Sequence, residues 1–172
     1  MSENAAILEP DAFVSAVPLG RRLLGLDVGT KTIGLAVSDP DWLLASPLET
    51  IRRRRWQEDV ARLQEIIAQW RIGGLVCGLP LVEKGGDGRR AQGVRQVARN
   101  LVAALQLPLV FEDERFSTQE VERMLIEEVD MTRRRRALLI DKLAARHILQ
   151  GALDRLRPLS KGTSRSPTSD DR

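Results

Sequence analysis

Two short apolar runs joined by a glycine-containing turn, residues 23–37, constrain the fold of this chain more than any other stretch. The first run is typical of a buried strand that ends at Asp27, and the second is typical of its β partner. A charged carboxylate buried without a partner costs stability, whereas Gly29 and Gly34 allow a tight turn and the close approach of a ligand. The stretch therefore predicts a hairpin that presents Asp27 to a metal ion or a metal-bound phosphate. The alternative to a metal or phosphate site is that Asp27 only caps the turn, since Asp and Gly are common turn residues.

Residues 25–32 have a superficial likeness to a Walker A phosphate-binding loop. Such a loop needs a second glycine directly before its lysine, and Thr30 stands in that place before Lys31. An acid, Asp27, also occupies the part of the loop that would surround phosphate. The sequence therefore excludes a Walker A nucleotide site here.

Composition limits the class of protein. A chain of 172 residues with 42% hydrophobic residues fits one domain with a packed core. No apolar run approaches the length of a membrane span, and residues 1–20 lack the pattern of a secretory signal. Cys77 lies in an apolar run and is expected in the core. Because the chain has one cysteine and one histidine, it cannot form a Cys/His zinc site or a disulfide framework. We expect a cytoplasmic protein without a membrane partner.

Basic residues are concentrated at 52–55 and 133–136, although the net charge is only +3. Clusters of arginine favour contacts with phosphate and lean slightly towards a nucleic-acid partner. A solvated basic face is the alternative. Aromatic residues make up 3% of the chain, so binding that relies on base stacking is not expected.

Hydrophobic periodicity predicts alternating strands and helices after the hairpin. Further strands are expected at 42–48, 75–79 and 109–111, and helices at 56–70, 94–105, 117–128 and 134–156. Residues 1–20 are expected to form a flexible extension and residues 158–172 a disordered tail. The domain is therefore expected to span residues 21–157. Its fold class is α/β, a five-stranded mixed sheet flanked by helices, with parallel crossovers in the second half.

Acidic residues occur at the ends of predicted strands and on the last predicted helix. Residues 112–114 are three acids at the exit of a predicted strand, and Glu112 is expected at the surface. Asp141 lies on the core-facing side of the last helix, where it needs a partner, either a functional one or a neighbouring arginine. Strand ends gather at one edge of such a sheet, so Asp27, Asp113, Glu114 and Asp141 are expected to converge. Carboxylates without histidine or cysteine suit Mg²⁺ or Mn²⁺, and two such ions can support hydrolysis of a phosphodiester bond.

Four motifs in order resemble the YqgF/RuvX family, bacterial proteins with a ribonuclease H-like fold. They occupy residues 26–36, 78–81, 113–118 and 141–149, and the resemblance covers roughly residues 22–156. Members are described as pre-16S rRNA nucleases or as Holliday-junction-resolvase-like proteins. Phe116 stands where the family more often has leucine, a change that leaves the chemistry intact.

The resemblance implies a ribonuclease H-like fold and an acidic active site that binds Mg²⁺ or Mn²⁺. The implied catalytic residues are Asp27, Glu114 and Asp141, with Asp113 as a further candidate metal ligand. Glu114 is favoured over Asp113, and Arg115 is expected to contact phosphate or to form an internal ion pair. The candidate nucleic-acid-binding residues are Lys31, Arg89, Arg90, Arg115 and Lys142.

The leading hypothesis is a metal-dependent endonuclease that trims the 5′ end of precursor 16S rRNA. One alternative is a resolvase of branched DNA, which must cut two strands symmetrically, so the oligomeric state stays open between monomer and homodimer. Another alternative is a nucleic-acid-binding protein that kept the fold and lost catalysis. An actin-like ATPase or sugar kinase needs two such domains, and this chain has room for one.

Overall fold

The computed structural model describes residues 5–80, 88–114 and 132–162. Its centre is a five-stranded sheet in the order β3-β2-β1-β4-β5. The strands are β1 (Arg22–Val28), β2 (Thr32–Ser38), β3 (Ala45–Arg52), β4 (Ile72–Leu79) and β5 (Leu109–Asp113). The helices are α1 (Pro10–Ala16), α2 (Trp56–Trp70), α3 (Arg89–Leu105) and α4 (Arg133–Gly162).

Strand direction follows from how the strands are connected. β1 and β2 form the predicted antiparallel hairpin, and β3 adds antiparallel to β2. β4 and β5 follow helices and therefore pair in parallel with β1 and β4. Within the described strands, β2 alone runs against the others. This mixed sheet with helices on both faces is the ribonuclease H-like arrangement, and it confirms the predicted fold class.

The two faces of the sheet have separate cores. One contains apolar residues of α2 and α3 packed on the even-numbered positions of β1, such as Leu24 and Leu26. The other contains residues of α1 and α4 packed on Leu23, Ala36 and Val76. Because side chains alternate along a strand, Asp27 belongs to the face that α4 covers. Cys77 is fully buried, as expected from its apolar run.

α4 crosses the whole sheet on this face. Successive turns of the helix meet successive strands, through Leu138 and Thr50 of β3, Asp141 and Gly34 of β2, Ala145 and Gly25 of β1, Ile148 and Gly78 of β4, and Gly151 and Glu112 of β5. Glycine on three of these strands allows the helix backbone to approach closely. The helix therefore fixes the position of Asp141 relative to β1 and β2.

The expectation of a flexible extension is wrong for residues 5–20. α1 packs on the sheet with Phe13, Val14 and Val17 buried. The backbone before it joins the edge at β5, where the amide N–H of Leu8 donates to the carbonyl of Leu109 at 2.8 Å. A helix of seven residues is too short to show a periodic pattern, and this hid it from sequence reasoning.

Gly73 and Gly74 lie within β4, although a pair of glycines after a helical pattern predicts the end of the helix. The helix ends as predicted at Trp70, and the next residue, Arg71, adopts the left-handed cap conformation with φ 54°. The two glycines instead make room for α1. A Cβ on Gly74 would lie 2.7 Å from the ring of Phe13.

Other boundaries differ from the expectations. β3 runs over Ala45–Arg52 and not 42–48, because the Asp39 carboxylate accepts the amide N–H groups of Leu43 and Leu44 and holds that segment in a turn. The last helix continues through Pro158 to Gly162, so residues 158–162 are not a disordered tail. The helix expected at 117–128 and residues 163–172 lie outside the described residues. In the part of the chain that is described, no helix has the length and apolar character of a membrane span.

Replacement of Phe13 by alanine tests whether α1 is part of the core. We expect Phe13→Ala to lower the free energy of unfolding by about 3–5 kcal/mol, since its ring is fully buried. Urea denaturation measures this change, with Leu19→Ala as the control because Leu19 is 90% exposed. Equal, small effects of both substitutions would contradict the packing of α1.

Candidate active site

Asp27 and Glu114 are brought together at the carboxyl ends of β1 and β5. The two carboxyl groups share a hydrogen bond. Gly78 of β4 lies between the two strands, and a Cβ there would be 2.8 Å from the Glu114 Oε2 atom. The missing side chain at Gly78 therefore leaves the space in which Glu114 reaches Asp27.

Burial keeps one proton on this pair near neutral pH. Burial, together with the negative charge of Asp27, raises the pKa of Glu114 to about 7. Burial also raises the pKa of Asp27, while the hydrogen bond from Glu114 lowers it. The proton therefore resides on Glu114, which donates it to the Asp27 carboxylate.

Arg90 is the cation that faces this pair. Its Nη2 atom lies 3.2 Å from the Glu114 Oε1 atom, and its charge lowers the pKa of both carboxyl groups. The arginine sits in the first turn of α3 with its side chain 63% exposed, whereas the Glu114 side chain is 8% exposed. Arg90 therefore lies at the rim of the site and Glu114 inside it.

Asp141 is the third carboxylate, supplied by α4. The Thr32 hydroxyl donates a hydrogen bond of 2.9 Å to its Oδ2 atom. Burial raises the pKa of Asp141 and the hydrogen bond from Thr32 lowers it. The negative charge of Asp141 also raises the pKa of Asp27, which shows that the two carboxylates repel each other across the space between β1 and α4.

Thr32 was not anticipated as part of the site, and Gly34 was expected to admit a ligand, whereas it admits the backbone of α4. They lie two residues apart on β2, so both face α4, and Gly34 pairs directly with Asp27 in the sheet. Period-two alternation from Gly34 would have identified Thr32. No local signal reveals that the backbone of Asp141 rests against Gly34, because that contact joins distant segments.

The acidic cluster at the end of β5 is divided between the two faces of the sheet. Glu112 and Glu114 face α4, whereas Asp113 is exposed on the other side. The expectation that Glu112 is a surface residue is wrong. Its side chain is 15% exposed and forms an ion pair of 2.6 Å with Arg155 of α4. The alternation therefore favours Glu114 over Asp113 as the member of the site.

The candidate nucleic-acid-binding residues are placed around this centre. Lys31 is exposed in the hairpin turn, Arg89 is exposed at the start of α3, and Lys142 follows Asp141 on α4 and is half-buried. Arg90 pairs with Glu114 as described. Arg115 lies outside the described residues.

The donor set suits a hard divalent cation. Asp27, Glu114 and Asp141 supply carboxylate oxygens, which are the ligands that such ions prefer. Burial keeps a proton on the Asp27–Glu114 pair because the cations around it do not fully balance its negative charge. Over residues 5–80, 88–114 and 132–162, no three acidic, histidine or cysteine side chains are already arranged to hold one ion together. Ion binding therefore requires deprotonation and small side-chain movements of these residues.

The fold and the comparisons with known proteins define the class, a nuclease of the ribonuclease H-like fold that hydrolyses phosphodiester bonds. Comparison with known families narrows this class. The model of the RuvX family, described as a Holliday junction resolvase, matches residues 21–155. The chain belongs to the RuvX family.

Two relatives that are about half identical to this chain agree with this assignment. A protein of Roseobacter denitrificans named "Putative pre-16S rRNA nuclease" is 53% identical over 154 residues, which cover 88% of this chain and 94% of the relative. A protein of Zymomonas mobilis with the same name is 51% identical over 142 residues, which cover 83% and 86%. Among solved structures, T. thermophilus RuvC in complex with a Holliday junction substrate is similar with 19% identity and a TM-score of 0.42, covering 77% of this chain and 93% of that chain.

A side chain at Gly34 would displace Asp141. We expect Gly34→Ala to lower the free energy of unfolding by about 1–3 kcal/mol, because its methyl group meets the Asp141 backbone carbonyl. We also expect a loss of cleavage rate of about a hundredfold, since small misplacements of catalytic groups have large effects. Gly93→Ala in α3 is the control, because the space around Gly93 is open. A Gly34→Ala variant that keeps full activity would contradict this role.

The raised pKa of Glu114 predicts a pH-dependent effect on stability. Between its ordinary pKa of 4.5 and its folded value of about 7, the folded state holds more protons, so its stability falls as the pH rises. In metal-free buffer, Glu114→Gln should remove this loss. The free energy of unfolding of Glu114→Gln should equal that of the parental protein at about pH 4.5 and exceed it by about 1–3 kcal/mol above about pH 7.

Urea denaturation across this pH range measures the difference, with Glu58→Gln on the exposed face of α2 as the control for a change of charge. A difference between Glu114→Gln and the parental protein that stays constant with pH would show that Glu114 does not hold the proton.

Proposed function

We propose that the protein is a metal-dependent endonuclease that trims the 5′ end of precursor 16S rRNA. The observation that carries this proposal is the proton-sharing Asp27–Glu114 pair, with Asp141 held beside it by Thr32. Three carboxylates on separate elements at one sheet edge concentrate more negative charge than one arginine neutralises. A site of this kind suits a divalent cation and the phosphate group that accompanies it.

Asp27, Glu114 and Asp141 would hold Mg²⁺ or Mn²⁺. When bound, such an ion lowers the pKa of water and neutralises charge on the phosphoryl group. Thr32 fixes the orientation of Asp141 through its hydroxyl, and Gly34 fixes the depth of Asp141 through the helix backbone. Arg90 presents an exposed guanidinium at the rim, where a phosphate next to the carboxylates would meet it. Lys31, Arg89 and Lys142 are proposed as further phosphate contacts.

The choice of substrate is supported by the curated relatives, which are named for pre-16S rRNA and are about half identical over most of both chains. With such a substrate, we propose a cytoplasmic location for the protein. The description of the RuvX family model favours a second candidate, cleavage of a Holliday junction. That reaction requires symmetric cuts and hence a homodimer.

Asp27→Asn and Asp141→Asn test the chemistry. We expect each to lower the cleavage rate by more than about a hundredfold, because even the loss of an outer partner of a metal ligand costs up to that much. EDTA should stop cleavage, and added Mg²⁺ or Mn²⁺ should restore it. Asp154→Asn, an exposed change on the same helix, is the control. Equal cleavage by the parental protein and both site variants would refute the assignment.

The substrate is tested by incubating the parental protein with a labelled 16S precursor and, separately, with a four-way DNA junction. Cleavage near the 5′ end of the precursor alone supports the proposed function. Symmetric cutting of the junction by a dimer supports the second candidate. RNA binding without cleavage of either substrate would identify a protein that kept the fold and lost catalysis.

A further inference from the structure

The two arginine clusters of the sequence meet at one edge of the sheet. The first covers the end of β3 and the residues after it, and the second forms the first turn of α4. They are joined where the Thr50 hydroxyl donates to the Leu138 carbonyl at 2.7 Å, two residues from each cluster. The exposed arginines of this surface, called here the arginine ridge, are Arg52, Arg54, Arg55 and Arg133–Arg136.

Arg53 ties this ridge to the active site. It is only partly exposed, and its Nη1 atom donates to the carbonyl of Gly29 at 2.7 Å. Its backbone N–H donates to the carbonyl of Lys31 at 2.9 Å. Both acceptors lie in the turn that follows Asp27. Arg53 therefore anchors the first cluster, and the exposed arginines beside it remain at the surface next to the catalytic carboxylates.

The charge of the ridge is not neutralised within the described part of the chain. Glu49 and Glu65 both pair with Arg62, which lies outside the ridge. The buried Asp59 carboxylate accepts the backbone N–H of Arg54. Glu58 is the remaining exposed acid of this segment. The first turn of α4 contains no acidic residue. Seven exposed guanidinium groups with so few counter-charges point to a polyanionic partner.

We infer that the arginine ridge binds the phosphate backbone of a double-helical segment of the substrate, beside the bond that is cut. This inference rests on the proposed function. Residues 133–136 precede Asp141 by five to eight positions, which is about 8–12 Å along the helix axis. That distance corresponds to about two to four steps of a double helix. The ridge therefore holds the substrate close to the catalytic carboxylates.

The surface suits a double helix better than a single strand. Proteins that bind single strands stack bases on aromatic side chains. In the described residues every aromatic side chain is buried or partly buried, including Trp56 at the start of α2. Guanidinium groups without such a platform recognise the backbone through charge and shape, which is how double-stranded RNA is bound.

The test measures binding by fluorescence anisotropy in the full chain carrying Asp27→Asn, so that the substrate stays intact. Two double variants change the ridge, Arg52→Gln/Arg54→Gln and Arg134→Gln/Arg135→Gln. The control is Arg71→Gln/Arg99→Gln, which removes the same charge from exposed positions outside the ridge. The probes are an RNA duplex, a DNA duplex of the same sequence and one RNA strand alone.

Each ridge variant is expected to bind a duplex about tenfold more weakly and to lower the slope of log affinity against log salt by about two. The control should stay within about twofold of the parental affinity. The duplex that binds more tightly identifies the RNA or DNA source of the backbone. An equal loss in the control, an equal loss on the single strand, or an unchanged duplex affinity would overturn the inference.

Failure of this inference is distinguishable from failure of the proposed function. If the parental protein cleaves the precursor while the ridge variants bind duplex unchanged, only the inference fails. If the parental protein cleaves neither substrate while duplex binding depends on the ridge, the nuclease proposal fails and the binding surface stands.

Discussion

The backbone of α4 lies directly against the sheet, and the geometry of the active site depends on this contact. It is possible because β2, β1 and β4 carry glycine at Gly34, Gly25 and Gly78 where the helix crosses them. The helix packs through backbone and small residues, so its distance from the sheet is set by atoms that cannot rotate away. Asp141 is consequently held at a fixed depth next to Asp27 although more than a hundred residues separate them.

This close approach creates an electrostatic conflict. Asp27, Glu114 and Asp141 are drawn into a partly buried space where burial raises the pKa of each. The protein relieves part of the repulsion with a proton shared by Asp27 and Glu114 and with the charge of Arg90. The Thr32 hydroxyl stabilises the remaining carboxylate. Under the proposed function, each device is a weak substitute for a divalent cation and allows the chain to fold before an ion binds.

The elements that could be predicted from the sequence are those with a long pattern within one continuous segment. α2 shows a full helical period from Trp56 to Trp70, and the Asp27 hairpin shows two apolar runs around a glycine turn. The convergence of the carboxylates followed from the rule that strand ends share an edge, together with the family resemblance. What escaped depends on contacts between distant segments. α1 packs into the space that Gly74 leaves on the sheet. Glu112 is buried because it forms an ion pair with Arg155 of α4.

The distribution of charge links the centre of the site to its surroundings. A cluster of carboxylates repels a polyanion, so a nuclease of this design needs positive charge that brings phosphate to an acidic centre. Arg90 supplies positive charge on one side of the site, beside Glu114. On the other side, Arg53 holds the arginine-rich end of β3 against the turn that follows Asp27. Asp27 lies on β1, Glu114 directly after β5 and Asp141 on α4, whereas the cations lie at the rim of the site. In the proposed function, attraction therefore acts on the flanking backbone of the nucleic acid, while the carboxylates remain available for the proposed ion and the scissile phosphate.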